Sequence, residues 1–276
     1  MNRKIAGPLF LAAMLTAQLP SFAQFTPQEV AEREKWEEFL SAARIIAREQ
    51  ISSRDAVTSP WILTLEKDGR TRRALWKNPA GRLRGFVENW RWEIAAYRLD
   101  KYLGLHMIVP TVEKILDGTP GSCQLWVESQ MSLREKTERG IETPPDKAAA
   151  WARTAYLQQA FDNLIANEDR NQSNVLVTED WRAILIDQSR TFRTARKFRT
   201  RLMYEDTDAA AQTVMLQLPR RFVDSLGGLS LEVMKSIAGD YLTAKEMEAV
   251  LVRRDLLLRL IGSRIRKFGE HKVLYD

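Results

Sequence analysis

Strand-like and helix-like periodicities are segregated along this chain, and that separation restricts the fold more than any other feature. Apolar alternation appears in WILTLEK (61–67) and TRRALWKN (71–78), joined by the turn pair Asp68-Gly69 as a β-hairpin. Pro110 opens a further strand, PTVEKIL; DGTPG (117–121) reads as a turn, and SCQLWVES (122–129) as the next strand. Between these two strand pairs the spacing of Trp90, Ile94 and Tyr97 predicts a helix from Glu88 to Leu103. A second helix is predicted over 146–166, carrying Trp151, Tyr156 and Phe161, after a polar stretch at 130–145. The polar loop NEDRNQSN (167–174) and two short strands, NVLVTED and WRAILID, come next, and helical patterns dominate from Leu218 onward. The plan is α+β: a small β-rich lobe, then a larger helical lobe with a short hairpin at the junction.

The ends of the chain read differently. Residues 1–23 combine Arg3 and Lys4, an apolar run from Ile5 to Ala17, the breaker Pro20, and small residues Ser21 and Ala23 before Gln24. That is the pattern of a cleaved secretory signal, with export to a periplasmic or extracellular space as its consequence, and a retained N-terminal anchor is the alternative. The apolar run is short for a membrane span, and no transmembrane segment is expected in the chain that follows. Thr26, Pro27 and Glu29 form a helix start, and Trp36, Phe39, Leu40, Ala43 and Ile46 continue it at helical spacing to Glu49, so 24–60 reads as a helix and linker.

Composition narrows the chemistry. One cysteine, Cys123, excludes an intramolecular disulfide and a CxxC site, and two distant histidines, His106 and His271, exclude an HExxH zinc site. Cys123 reads as a small core residue and the histidines as structural or solvated. The net charge of +6 falls to +4 without residues 1–23, which hold two basic and no acidic residues. The surplus is concentrated in Arg190, Arg193, Arg196, Lys197, Arg199 and Arg201, with no acid until Glu205. Such a segment suits an anionic acceptor or a solvated face equally; nucleic acid is not expected, since no binding motif accompanies it.

Five residues stand where phosphoryl transfer from ATP needs them. Lys77 ends a strand and can hold phosphates; Glu93 in the next helix can pair with it. Asp169 and Asn174 share one loop, and Asp187 closes an apolar strand. A loop aspartate can orient an attacking hydroxyl, while an amide and a carboxylate suffice to hold Mg²⁺, which keeps several waters.

The segment FDNLIANEDRNQSNVLV followed by ILIDQSRTF resembles the atypical branch of the protein-kinase-like fold: phosphatidylinositol 3/4-kinases, HipA-type kinases and secretory-pathway kinases. It is most similar to the type II phosphatidylinositol 4-kinase loop, which Asn167, Asp169, Arg170, Asn174 and Asp187 match in type and order. The resemblance implies a two-lobed fold, with a small β-rich lobe over 61–129 and a larger helical lobe over 130–276. It implies ATP and Mg²⁺ as cosubstrate and cofactor, with Lys77, Glu93 and Asp169 as the catalytic set and Asn174 and Asp187 at the metal. It places Trp126, Val127 and Glu128 at an adenine-binding hinge. Arg190, Arg193, Arg196 and Lys197 fall where substrate is met. The chain departs from the pattern in two places: no GxGxxG loop is present, and Gln188-Ser189 stand in place of Phe-Gly after the second aspartate. The implied function is an exported Mg-ATP phosphotransferase acting on a hydroxyl of a protein, lipid head group or small molecule. A nucleotide-binding protein without turnover and a kinase-fold AMP-transferase are the alternatives.

Overall fold

A computed structural model describes residues 25–51, 58–205 and 215–276. The predicted signal segment 1–23 lies outside the described residues. The chain is mixed α+β. Helices α1 (Pro27–Ala31) and α2 (Arg33–Ala42) come first, opened by the Thr26/Glu29 capping box. Strands β1 (Arg44–Gln50), β2 (Trp61–Lys67) and β3 (Arg70–Lys77) follow, then a small hairpin of β4 (Ala80–Leu83) and β5 (Phe86–Asn89). Helix α3 (Trp90–Leu103) leads to β6 (Thr111–Leu116) and β7 (Thr119–Leu125). The main sheet is five-stranded and antiparallel in the order β1-β2-β3-β7-β6. Its two tight turns, Asp68-Gly69 and Asp117-Gly118, all have positive φ, as a hairpin turn matched to strand twist requires.

Alternation along β3 decides where the lysine goes. Ala74 and Trp76 join Leu63, Leu65, Cys123 and the α2 residues Phe39 and Leu40 in a sheet-side core. Lys77 is next in line and points to the opposite face, where α3 meets it. Helix α3 is started by the Asn89 side chain, which accepts from the Arg91 amide, and is stopped by left-handed Gly104. Its apolar stripe, with Trp92, Ala95, Ala96, Leu99 and Leu103, belongs to a second and larger core.

That larger core is built by α5 (Ala148–Ile165), α7 (Arg220–Gly227), α8 (Leu231–Ala238) and the long α9 (Ala244–Phe268). Before α5 come β8 (Met131–Ser132) and α4 (Leu133–Glu138), and between α5 and α7 lie β9 (Val175–Val177), β10 (Ala183–Leu185) and α6 (Lys197–Thr200). Strands β8, β9 and β10 form a three-stranded sheet. Near the end, β11 (Leu218–Pro219) pairs with β12 (Leu274–Tyr275), which follows α10 (Glu270–Val273). Among the described residues no helix is long and apolar enough to cross a membrane.

Several expected boundaries are corrected. The helix expected through Glu49 ends at Ala42; Ala43 turns to extended backbone, and Arg44–Gln50 is an edge strand on β2. Almost every residue of β1 is exposed, including Ile46, so no period-2 pattern advertises the strand, and its charges suit an edge. The helix expected from Glu88 starts at Trp90, because Glu88 and Asn89 pair with Ala80 and Gly81 in a hairpin. Strand β7 runs over 119–125, not 122–129, since a two-residue turn lets pairing resume at Thr119. Pro120 is accommodated there because β3 pairs with β7 only from Ser122, so no partner on that side needs its missing N–H. The polar stretch 130–145 contains β8 and a capped helix.

Candidate functional site

The site is assembled where the end of β3, the helix α3, the loop after α5 and the segment after β10 meet. Lys77 Nζ lies 2.5 Å from Glu93 Oε1 and 2.7 Å from Asp187 Oδ1. Lys77 and Glu93 are buried, whereas the Asp187 side chain keeps 38% of its surface. Burial opposes the Lys77 charge, but the two carboxylates overcome it and raise its pKa above the usual lysine range. Burial also raises Glu93, against the pull of Lys77. Asp187 is lowered: burial would raise it, and Lys77 with the Ser189 hydroxyl outweighs that. One ammonium therefore serves two carboxylates, the more exposed of which stays ionised most readily.

Asp187 is two residues past β10 and has φ +59, a left-handed conformation uncommon for a side chain larger than glycine. The next residue accounts for its being held. The Gln188 amide donates to Glu93 Oε1 at 3.0 Å, and its side-chain oxygen accepts from Asn167 and Arg170. Gln188 and Ser189, which replace the expected Phe-Gly, are thus bonded into the cluster. Ser189 Oγ lies within hydrogen-bond reach of Glu88 Oε2 (2.5 Å) and Asp187 Oδ1 (3.0 Å).

The loop 167–174 is shaped by its own polar groups. Asn167 Oδ1 accepts from the Asp169 amide, Asn171 Oδ1 accepts from the Ser173 amide, and Asn174 Nδ2 donates to the Asp169 carbonyl at 3.1 Å. Arg170 ties the loop to its surroundings. It pairs with buried Asp162 of α5 at 3.1 Å and donates to the carbonyls of Asn174 and Ile186. These contacts lock the loop to the strand end that carries Asp187.

Asp169 meets Arg190, whose Nη1 lies 3.1 Å from Oδ2. Burial raises the Asp169 carboxyl, Arg190 lowers it, and Asp187 and Glu88 raise it further; the balance is upward. Arg190 Nε also donates to Glu88 Oε1 at 2.6 Å, and the guanidinium lies 4.4 Å from the Phe86 ring centre. Sequence alone gives Glu88 and Ser189 no role in the site. Glu88 looks there like an ordinary charged residue beside a helix, and the signal that could have flagged it is the pair of glycines, Gly81 and Gly85, marking a hairpin.

The remaining predicted residues are more dispersed. Arg193 and Lys197 both approach Glu168, at 2.7 and 3.6 Å, and Arg193 Nη1 donates to the Val87 carbonyl. Arg196, Arg199 and Arg201 are exposed. Trp126, Val127 and Glu128 follow β7; the Trp126 amide donates to the Arg73 carbonyl, and Arg73 covers the Trp126 ring and pairs with Glu128. A cavity of about 440 Å³ opens beside the loop, lined in part by Glu168, Lys197, Phe198, Arg201 and Tyr204.

Directly touching groups form one network: carboxylates Glu88, Glu93, Asp169 and Asp187, with cations Lys77 and Arg190. Fully ionised, that set carries a formal charge of −2, which a divalent cation balances. Among the described residues no group of three or more His, Cys, Asp or Glu side chains is placed to hold a metal. Asp187 and the Asn174 amide are the donors offered. Asn174 spends Nδ2 on the Asp169 carbonyl, and no described residue donates to its Oδ1 or to Asp187 Oδ2. That hard-oxygen pair fits Mg²⁺, which keeps waters in most of its sphere. No protein-family model matches the chain, and a search of curated proteins finds no match to it.

Proposed function

We propose that the chain is an exported Mg-ATP-dependent phosphotransferase with a two-lobed kinase-like arrangement, transferring the γ-phosphoryl group to a hydroxyl. The observation that carries this reading is the buried Lys77–Glu93–Asp187 contact beside the Asp169–Asn174 loop. Strand, helix, loop and strand end deliver the five residues to one place, as phosphoryl transfer needs. In this reading the sheet and α3 form the small lobe, and the helices after residue 130 form the large one.

Lys77 holds phosphate oxygens, and Glu93 fixes the direction of its ammonium. Asp187 and Asn174 would hold Mg²⁺, which supplies charge neutralisation to the phosphates when bound. Asp169 takes the proton of the acceptor hydroxyl while that oxygen bonds to the γ-phosphorus. The bond from the γ-phosphorus to the β,γ-bridging oxygen breaks, ADP leaves, and Asp169 returns the proton to solvent. The Trp126 amide is already used by Arg73, so the free backbone of Val127 and Glu128 is the better adenine reader.

A nucleotide-binding protein without turnover is the second reading, favoured by the ion pair that Arg190 makes with the Asp169 carboxylate. Turnover of labelled ATP with Mg²⁺, set beside the thermal shift ATP produces, separates the two. Phosphotransfer predicts label loss from ATP in wild type, and a fall of at least a hundredfold in Asp187→Ala and Asp169→Asn, on the order expected for removing such groups. Wild-type rates in both variants would remove the assignment; a thermal shift without turnover selects the second reading. The mass added to a modified acceptor separates phosphoryl from adenylyl transfer.

A further inference from the structure

Arg190 is held at two points that are not equivalent. Its Nε donates to Glu88, a residue buried to 1% exposure whose other carboxylate oxygen is engaged by Ser189 Oγ. Glu88 also sits in β5, between the hairpin register to Gly81 and the start of α3, so it cannot follow a moving arginine. The second point is Asp169, whose side chain is 31% exposed and lies on a loop. Phe86 covers the guanidinium face. Among the described residues Arg190 Nη2 has no hydrogen-bond partner, although the side chain is only 13% exposed. The arginine is thus pinned at Nε, and its Nη edge is shared between Asp169 and whatever approaches from solvent.

The neighbouring cations are not in this position. Arg193 lies against Glu168, the Val87 carbonyl and the Trp92 ring, and its unpartnered Nη2 is buried away from solvent, while Lys197 is held by Glu168. Arg190 alone of the predicted substrate-side cations touches Asp169.

We propose that Arg190 is a displaceable clamp on Asp169, and that the acceptor carries an anionic group, phosphate or carboxylate, beside the hydroxyl it presents. The acceptor part rests on the phosphotransferase reading above; the clamp part does not. An acceptor hydroxyl needs Asp169 as its base, and Arg190, paired on Oδ2, makes that carboxylate a poorer proton acceptor. A neutral alcohol offers the guanidinium nothing in exchange for that carboxylate. A phosphate or carboxylate does, because it matches the planar donor edge and can be bound by two N–H groups at once. The incoming anion then takes the Nη edge while Nε stays on Glu88, and Asp169 is released as a base at the moment a hydroxyl lies next to it. Solvent water alone does not release it, which protects ATP from idle hydrolysis.

The test has a binding arm and a turnover arm. In the binding arm, inorganic phosphate and acetate are titrated into Mg²⁺-free protein, followed by the shift of the arginine Nε–H signals. Wild type is expected to bind saturably and Arg190→Gln at least tenfold more weakly. Asp169→Asn, which removes the carboxylate that competes for the same Nη edge, is expected to bind severalfold more tightly. That tightening is what a mere surface cation would not produce, and it remains readable if Arg190→Gln folds poorly. Equal affinity in wild type and Asp169→Asn overturns the clamp. In the turnover arm, glycerol, glycerate and glycerol 3-phosphate are compared as acceptors with Mg-ATP. Wild type should prefer an anionic member at least tenfold in kcat/KM, the two anions telling carboxylate from phosphate. Arg190→Gln should lose that preference and hydrolyse ATP faster. Equal use of all three acceptors, or no transfer to any while the binding pattern holds, overturns the acceptor class and leaves the clamp standing.

Discussion

Removing the Lys77 ammonium is the perturbation whose size the structure sets most directly. In Lys77→Met the Glu93 and Asp187 oxygens that shared it remain no more than about 5 Å apart, since one nitrogen touched them at 2.5 and 2.7 Å. Two unit charges at that separation, in an effective dielectric near 20, repel by roughly 3 kcal/mol. Breaking a buried pair by deleting one partner costs about 3–5 kcal/mol, the same range. Against a total stability of about 5–15 kcal/mol, urea unfolding at pH 7 should show the loss plainly. The double variant Lys77→Met, Glu93→Gln removes the stranded charge and keeps an acceptor for the Gln188 amide, so it should recover about 2 kcal/mol of that loss. Acid should also repair the single variant. Glu93 is already raised in the folded protein, so its proton is held more tightly folded than unfolded. Without Lys77 that difference grows, and the deficit present at pH 7 should shrink as pH falls through the raised range toward the ordinary carboxylate value. A single variant within about 1 kcal/mol of wild type, or a double variant worse than the single, would refute the claim that this ammonium compensates two carboxylates.

Two further outcomes follow from the packing. Burial, then the charges of Arg33 and Arg221, lowers His106 from 6.5 to about 4, so the folded protein favours the neutral ring. Its contribution to stability is complete above pH 6.5 and is lost as pH falls toward 4; His106→Asn, which tolerates the φ of +54 there, should flatten the wild-type stability slope in that window by up to one proton, about 1.4 kcal/mol per pH unit. Identical slopes by urea unfolding across pH would contradict it. At Gly121 an added Cβ would lie 2.6 Å from the Trp76 ring and 2.8 Å from the Lys77 carbonyl, so Gly121→Ala should cost about 1–3 kcal/mol and slow ATP turnover by shifting Lys77. A variant as stable and active as wild type would show that β3 yields there freely.

Much of the site is legible before folding because its parts are local. The Asp68-Gly69 hairpin, the strand ending in Lys77 and the helix stripe around Glu93 are each written in neighbouring residues. So is the loop 167–174, whose asparagines shape it through bonds spanning two to five positions. Strand β1 is not legible, because an exposed edge strand has no buried face to generate alternation and takes its conformation from β2. Nor is the β4–β5 hairpin, whose strands AGRL and FVEN have four residues each, too few to show a period.

By itself the sequence determined the kinds of elements, their order and which chemistry-bearing residues they carry, since backbone preference and apolar spacing act over a few residues. Only the tertiary structure decided which charges meet. Lys77 and Asp187 are 110 positions apart, and Glu88 and Arg190 are 102 apart. Contacts at that range come from how α3 packs between the sheet and the helices of the larger core, and a buried carboxylate such as Glu88 is indistinguishable from a solvated one until that packing removes its water.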